Sequence, residues 1–435
     1  MREMKNSCIE FIGKVPLKWG ITKTKYLFDV VNGATPKSDN PQFWDGEVCW
    51  ITPAEMSENI REIVESKRTI TFDGLNSCGT TVVPRGSIII STRAPIGQVC
   101  LAGVNLCTNQ GCKSLVRKEE CTQEYYYYYF SVQAIVLNML GRGTTFLELS
   151  SYALQNFSLP LPDNVTQTRI TSFLDNKCAQ IDRIIEQQQS EIEKLKEYKQ
   201  SVITEAVTKG LNYDVLMKDS NIEWIGMIPE HWGICSIKYW IKSIESGVSV
   251  NAAYYPATEG EYGVMKTSCV YGNKFSANEN KCVNVDEYDL VSCPIKSHTI
   301  IVSRMNTPEL VGACGYVEND ICNLFLPDRL WQISFLKGVS VKYLWYYLSG
   351  SNAKFYISSI ATGTSSSMKN ISQGQFGSTK ITYLKFDEQN EIVCYLDKLS
   401  DKIDSIIVSK YVLIEKLLEY KKSLIYEAVT GKLEV

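Results

Sequence analysis

The sequence predicts a mixed α/β (α+β) protein in which two globular domains, related by an internal repeat, are separated by two long coiled-coil helices. Three observations support this prediction. Two segments of the 435-residue chain recur at a nearly constant offset, each repeat ends in a long stretch with heptad periodicity, and strand-like stretches precede both of these endings. At roughly 150 residues per domain, the length indicates about three domains.

The repeats are direct. Residues 10–26 (EFIGKVPLKWGITKTKY) recur as residues 223–239 (EWIGMIPEHWGICSIKY) at an offset of 213. Residues 192–208 recur as residues 414–430 at an offset of 222, with 13 identities in 17 positions. The order is therefore a variable unit, a near-identical tail, a second variable unit and a second near-identical tail. The predicted bounds are residues 1–165 and 213–386 for the globular domains, and 166–212 and 387–435 for the helices.

Each tail carries one apolar stripe whose positions alternate in steps of four and three, as in a coiled-coil seam. The stripes are Ile181, Ile185, Gln188, Ile192, Leu195, Lys199, Val202 and Ala206 in the first tail, and Ile403, Ile407, Lys410, Ile414, Leu417, Lys421, Leu424 and Ala428 in the second. A one-sided stripe needs a partner, and the other tail is the simplest one. The alternative is packing on the tail's own globular domain, but about 43 residues without Gly or Pro favour the coiled coil.

The globular domains contain strand-like stretches at residues 87–92, 112–116, 298–303 and 330–335, separated by Pro and Gly. The tyrosine-rich residues 125–130 and 343–348 align with each other. We expect a half-buried helix at each, and the alternative is a platform on which bases stack.

Composition bounds the function. With 44% apolar and 21% charged residues the chain is typical of folded proteins, and no apolar run approaches the ~20 residues of a membrane span. Fifteen cysteines without a C-x-x-C pair, beside two histidines, give no zinc spacing and favour reduced thiols in a cytoplasmic protein. The net charge of −3 neither supports nor excludes DNA binding through local patches.

Catalytic signatures are missing from the sequence. There is no G-x-x-x-x-G-K-[ST] phosphate loop, and Gly141-Arg142-Gly143 lacks the third glycine of a dinucleotide loop. The two histidines offer no triad. We therefore expect a non-catalytic chain with no metal site.

Polar loops give the candidate DNA contacts. Arginine pairs with guanine, Asn and Gln pair with adenine, and Thr, Ser and Lys suit phosphate oxygens. For each loop the alternative is ordinary turn chemistry. The candidates are Thr35, Lys37, Arg93, Asn109, Gln110, Arg142, Thr144 and Thr145 in the first half, and Ser303, Arg304, Arg329 and Thr364 in the second.

The sequence resembles the DNA-specificity (S) subunits of type I restriction–modification systems over essentially its full length. The resemblance is carried by the doubled I-G-x-[VI]-P-x-x-W at residues 12–19 and 225–232, Gly33-x-Thr35-Pro36, T-N-Q-G at 108–111, G-T-T at 143–145, and the doubled E-A-V-T near each tail's end. The second half departs from this pattern. It has G-V-S-V at 247–250 without Thr-Pro, and L-P-D-R at 326–329 is its counterpart of T-N-Q-G.

The resemblance implies two target-recognition domains, each reading one half of a split sequence in double-stranded DNA. It further implies that the two conserved helices run antiparallel and act as a ruler, and about 43 helical residues span roughly 60 Å. It also implies that this chain binds no cofactor. S-adenosylmethionine is expected on two modification (methyltransferase) subunits, and ATP and Mg²⁺ on restriction/translocase subunits. Two other functions are weighed beside this one, a coiled-coil interaction scaffold that does not bind DNA and an enzyme with an unrecognised site.

Overall fold

The computed structural model describes residues 3–57, 60–143, 147–365 and 367–435. The chain forms two compact units. The first unit comprises Met1–Gln188 with Tyr411–Val435, and the second comprises Gln189–Lys410. Each unit therefore contains one globular part together with parts of both long helices.

The first unit is mixed α/β. Its strands are β1 Met4–Asn6, β2 Lys14–Pro16, β3 Gly20–Lys23, β4 Phe28–Asn32, β5 Trp44–Ile51, β6 Glu62–Ile63, β7 Arg68–Ile70, β8 Ile88–Ser91, β9 Val99–Ala102, β10 Leu106–Thr108, β11 Cys112–Arg117 and β12 Ser158–Leu161. Its helices are α1 Thr24–Leu27, α2 Phe72–Asn76, α3 Gln123–Ser131, α4 Ala134–Met139, α5 Ser151–Gln155 and the start of α6, Asn164–Lys209.

The main sheet of the first unit has the strand order β4-β11-β8-β9-β6. The apolar run Ile88–Ile90 forms its centre and is fully buried on both faces, as an unbroken apolar strand should be. A second sheet, β10-β5-β7, lies beside it and places Trp44 and Trp50 edge to face, with ring centroids 5.1 Å apart.

The tyrosine-rich segment is helix α3, and it lies in the core. Tyr125, Tyr126 and Tyr129 are fully buried. Their hydroxyls donate to main-chain carbonyls: Tyr125 to Val429 at 2.6 Å and Tyr129 to Ser158 at 2.9 Å. A phenol is buried without loss only when its hydroxyl finds such a partner. The predicted helix is therefore confirmed, although it is more deeply buried than the half-buried helix expected, and the stacking platform is wrong for this segment.

The second unit has the same class of fold. Its strands are β13 Met217–Asp219, β14 Met227–Pro229, β15 Gly233–Ser236, β16 Ile241–Glu245, β17 Gly263–Met265, β18 Asn280–Cys282, β19 Pro294–Ile295, β20 Thr299–Ser303, β21 Met305–Asn306, β22 Cys314–Val317, β23 Ile321–Phe325, β24 Leu330–Phe335, β25 Thr362–Ser365, β26 Met368–Asn370 and β27 Lys380–Tyr383. Its helices are α7 Val341–Ser349, α8 Ser351–Ile360, α9 Gln373–Ser378 and the start of α10, Phe386–Val429.

The central antiparallel sheet of this unit has the order β16-β24-β20-β22, and helix α7 packs on it. The hydroxyl of buried Tyr343 in α7 donates to the carbonyl of Val207 at 3.1 Å. Tyr346 donates to Asp397 at 2.7 Å, just as Tyr128 donates to Asp175 at 2.7 Å in the first unit. The internal repeat is therefore a repeat of side-chain contacts as well as of sequence.

The two long helices run antiparallel. In the second unit Lys199 of α6 bonds Asp404 of α10 at 2.8 Å, and Lys410 bonds Glu191, so rising numbers in one helix meet falling numbers in the other. In the first unit Asp182 bonds Lys421 at 2.6 Å. Because the tails repeat at an offset of 222, this is the Asp404–Lys199 pair again with its helices exchanged. The predicted antiparallel pair is confirmed.

The predicted stripes face inward. Ile181, Ile185, Ile192 and Ala206 are buried in α6, and Ile403, Ile414, Leu424 and Ala428 are buried in α10. The other stripe positions, Gln188, Leu195, Lys199, Val202, Ile407, Lys410, Leu417 and Lys421, are half-buried. The alternative packing, on a globular core, also occurs near the ends of both helices in the second unit. Ile203 and Val207 of α6 and Leu396 of α10 join the apolar core of the second unit.

Within the parts of the chain that the structure describes, no helix has the length and apolar character needed to cross a membrane. The same parts hold no group of three or more His, Cys, Asp or Glu side chains arranged as a metal site. The cysteines are free thiols and most are buried.

Candidate nucleic-acid interface

Four polar loops of the first unit lie next to one another. We call residues 33–38, 92–97, 108–111 and 141–149 the first rim, of which residues 144–146 lie outside the described part of the chain. Main-chain hydrogen bonds link them in series. The Ala34 N–H donates to Thr108 O at 3.0 Å, Thr92 N–H to Gly111 O at 2.7 Å, and Leu149 N–H to Thr92 O at 2.9 Å. Segments far apart in sequence therefore form one continuous surface.

The main chain of the loop at 33–38 is held by close packing at Gly33 and by two tryptophan hydrogen bonds. A Cβ on Gly33 would lie 2.0 Å from Asn109 O, so only glycine permits this close approach. Trp50 Nε1 donates to Ala34 O at 3.0 Å, and Trp44 Nε1 donates to Lys37 O at 3.2 Å. Two core tryptophans thus hold the main chain while the Lys37 side chain is exposed.

The first rim also contains internal bonds of the kind that ordinary turns make. Asn109 is half-buried, and its Oδ1 accepts from the Gly111 N–H at 2.9 Å, which is an Asx turn. The Thr35 hydroxyl donates to the Gln110 side chain. Thr35 and Gln110 nevertheless reach the surface together, Gln110 being exposed.

Arg93 forms an ion pair with a carboxylate and remains partly exposed. Its Nε and Nη2 donate to Glu148 Oε2 at 3.2 and 3.1 Å, and its side chain keeps 46% of its exposure. The main chain of Glu148 also pairs with that of Arg142, with both N–H···O distances at 3.0 Å, and Arg142 is exposed. The predicted neighbours Thr144 and Thr145 lie outside the described residues.

Beneath this ion pair lies a buried lysine that the sequence reasoning did not identify. Lys113 of β11 is 6% exposed, and its Nζ lies 4.0 Å from Glu148 Oε1. Burial lowers the pKa of Lys113, and the Glu148 carboxylate opposes that shift. The sequence signal was a lysine inside the strand-like stretch 112–116, C-K-S-L-V, which has no other charged residue.

The second unit repeats the same main-chain frame, meaning the hydrogen bonds between the loops and the close approach of a glycine, with different residues. The second rim comprises residues 247–249, 303–306, 326–329 and 363–371, of which Ser366 is not described. Arg304 N–H donates to Arg329 O at 3.1 Å, and Ile371 N–H donates to Arg304 O at 2.9 Å, matching the two bonds of Thr92. A Cβ on Gly247 would lie 1.7 Å from Leu326 O, as one on Gly33 would crowd Thr108 O at 2.4 Å.

These matches place Arg304 where the first unit has Thr92, one position away from the equivalent of Arg93. Both arginines lie in bends that follow a strand. Arg304 is half-buried, and its Nε donates to Asp328 O at 2.6 Å. The two arginines are therefore not equivalent, although both follow a strand-ending serine.

The structure corrects one candidate and locates the others. Ser303 is fully buried in β20, and its hydroxyl accepts from Asn306 Nδ2 at 3.2 Å, so it cannot meet a phosphate here. Arg329 is exposed. Thr364 lies in β25, and its side chain is outside the described part.

A family model and individual relatives both relate this chain to type I restriction specificity proteins. Residues 16–194 and 247–415 match the family described as the type I restriction modification DNA specificity domain. The chain is 32% identical over 166 residues to the type I restriction enzyme MjaIX specificity subunit of Methanocaldococcus jannaschii, covering 38% of each chain. It is 27% identical over 150 residues to the EcoR124I/EcoR124II specificity subunit of Escherichia coli, covering 33% of this chain and 37% of that one. The matched stretches thus span under half the length of these relatives.

Two solved structures share the fold. A chain from a study of complex assembly and conformational transition in the type I R-M system superposes with a TM-score of 0.70 at 15% identity, covering 96% of this chain and 99% of that one. The HsdS subunit of Thermoanaerobacter tengcongensis superposes with a TM-score of 0.51 at 15% identity, covering 96% and 98%.

Proposed function

Because the chain belongs to the family of type I restriction modification DNA specificity domains, which match both of its halves, we propose that it is a specificity subunit reading a split sequence in double-stranded DNA. Each rim would contact one half of that sequence. The chain would act without catalysis of its own, placing two modification subunits and the restriction/translocase subunits on the site. S-adenosylmethionine, ATP and Mg²⁺ would be used by those partners.

The observation that carries this proposal is the repeated frame with unlike side chains. Thr92 and Arg304 make the same two main-chain hydrogen bonds, and Gly33 and Gly247 allow the same close approach. On that shared frame the first rim carries T-N-Q-G and the second L-P-D-R. Readers of two different half-sites need a common scaffold with different side chains at the base edges.

The tails show the opposite pattern, because they kept both their sequence and their contacts. The Asp182–Lys421 and Asp404–Lys199 pairs occupy equivalent positions. A constant surface suits two copies of the same modification subunit, and two fixed helices suit a ruler between readers.

Among the predicted contacts we assign direct roles to exposed or partly exposed side chains. Arg93, Arg142 and Arg329 suit guanine edges or phosphates, Gln110 suits adenine, and Thr35 and Lys37 suit phosphates. Arg304 orders its loop through Asp328. Asn109, Thr144, Thr145 and Thr364 stay predictions from the sequence.

Footprinting tests the proposal. The purified chain, assembled with its modification subunits, is incubated with DNA that the complex methylates, and protection is mapped at moderate salt. We expect two protected stretches separated by an unread gap. Assembly that is retained without any sequence preference would instead favour an interaction scaffold, and methylation or cleavage by the chain alone would indicate an enzyme.

A further inference from the structure

A three-membered charge cluster lies at the centre of the first rim. The two oxygens of the Glu148 carboxylate serve different cations: Oε2 accepts from Arg93 Nε and Nη2 at 3.2 and 3.1 Å, and Oε1 faces Lys113 Nζ at 4.0 Å. Glu148 is itself fixed by its paired main-chain bonds to Arg142. The carboxylate therefore has a defined position, set from one side by a buried cation.

This contact uses one edge of the Arg93 guanidinium. The group has five N–H donors, and Glu148 takes two of them, one on Nε and one on Nη2. The end formed by Nη1 and the second hydrogen of Nη2 keeps the parallel fork that pairs with O6 and N7 of guanine. An arginine held along its Nε edge thus presents this fork in one direction. A long side chain that is already ordered also loses less rotamer freedom when DNA binds.

Lys113 matters for the sign of the local charge. An isolated Arg93–Glu148 pair would be neutral toward a polyanion. The lysine adds a second positive charge, so the protonated cluster carries about +1 while the carboxylate still orients the arginine. Lys113 lies on β11 opposite Ile90 of β8, and it is almost fully buried. Its burial excludes direct contact with DNA, so it can act only through its charge and through its contact with Glu148.

We propose that Glu148 and Lys113 are positioning residues for base recognition: together they orient the Arg93 guanidinium toward a guanine in one half of the DNA site. This inference rests on the proposed function and deepens it. It also predicts asymmetry between the halves. In the second rim Asp328 binds the Ser249 hydroxyl at 2.5 Å through its side chain, and Arg304 only through its main chain. The carboxylate-held fork is thus a property of the first rim.

The test uses the full-length chain co-expressed with its modification subunits in a host that lacks adenine methylation. Sequencing N6-methyladenine across the genome of that host then reports the recognised sequence directly. Glu148→Gln keeps the shape of the side chain and removes its charge. We expect discrimination to fall roughly tenfold at one base pair of one half-site, the same one that Arg93→Ala alters, with the other half-site unchanged. Lys113→Met should relax the same base pair to a smaller degree.

Two further variants separate positioning from stability. Arg93→Lys keeps the charge but cannot form the fork, so it should lose discrimination at that base pair as Arg93→Ala does. Combining Arg93→Ala with Glu148→Gln should add nothing to Arg93→Ala alone, because the carboxylate acts only through the arginine. Glu62→Gln is the matched control, since it breaks the surface pair with Arg85 (3.6 Å) elsewhere in the first unit, and it should leave the recognised sequence intact.

The outcomes are distinguishable. If the wild-type complex methylates no split sequence, the proposed function fails. If it methylates a split sequence and Glu148→Gln leaves every position of both half-sites as selective as before, the positioning role is overturned. An effect of Glu148→Gln that persists in the Arg93→Ala background would also overturn it.

Discussion

Shortening both long helices by one heptad should bring the two half-sites of the DNA target closer by about three base pairs. The segments to remove are residues 187–193 of α6 and 409–415 of α10, which occupy equivalent positions at the repeat offset of 222. Glu191 and Lys410, which bond each other, leave together, while the Asp182–Lys421 and Lys199–Asp404 pairs remain. Removing seven residues keeps the stripe in phase.

The magnitude follows from helix geometry. Seven residues at 1.5 Å each shorten a helix by about 10 Å, which corresponds to about three base pairs at 3.4 Å per step. Three base pairs also rotate the DNA by about 100°, so we expect weaker binding as well as a shorter gap. The half-site sequences themselves should not change, because neither rim is altered.

Adenine-methylation sequencing of the deleted complex gives the gap directly. The matched control exchanges residues 187–193 and 409–415 between the helices, which preserves length and should preserve the gap. A gap of wild-type length in the deletion variant would refute the ruler, and so would altered half-sites with an unaltered gap.

Three other predictions follow from single residues. Arg93→Ala should weaken one half-site by about 1–3 kcal/mol in competition binding, and equal loss at both halves would contradict its assignment. Leu195→Pro should break α6 at a cost of about 3 kcal/mol or more, lower the unfolding midpoint and abolish co-purification with the modification subunits; undiminished co-purification would contradict it. Burial raises the pKa of Asp404, but hydrogen bonds from Lys199 and Lys274 lower it by more, so the pKa in the folded protein is below its ordinary value. The ion pairs of Asp404 therefore stabilise the fold above the ordinary aspartate pKa of about 3.9. This stabilisation is lost as the pH falls through the pKa of the folded protein. Asp404→Asn should therefore unfold at lower temperature than wild type at pH 7, and this difference should shrink below about pH 4, whereas a constant difference would contradict the ion-pair account.

The architecture was predictable because it follows from the internal repeat and from the periodicity of the tails. A repeat of near-identical tails and a four-three stripe do not depend on distant contacts, and burial of Ile192 and Ile414 follows from their position in that stripe. The tyrosine-rich segments were predicted as helices from their matching places in the two repeats rather than from periodicity. The polar positions in the stripe were less predictable. Lys199 and Lys421 interrupt the apolar stripe, and each bonds an aspartate of the other helix.

The details of the rims depend on strand register, which the sequence does not reveal. Ser303 ends a predicted strand and is grouped in the sequence with the polar loop that follows it, yet pairing of β20 with β24 buries it completely. Arg93 and Arg304 look equivalent beside their serines, yet they occupy positions one residue apart in the two loops, and Arg93 pairs with Glu148 while Arg304 donates to Asp328 O. The role of Glu148 could not be predicted from the sequence, because its partners Arg93 and Lys113 lie 55 and 35 positions away in the chain.

The central claim is that two alike helices hold two unlike readers at a fixed separation. Genome-wide sequencing of N6-methyladenine in cells that express the wild-type chain with its modification subunits tests it most directly. The account predicts one motif made of two different short half-sites with a gap of constant length and no base preference. An uninterrupted motif, a gap of variable length, or two identical half-sites would contradict it.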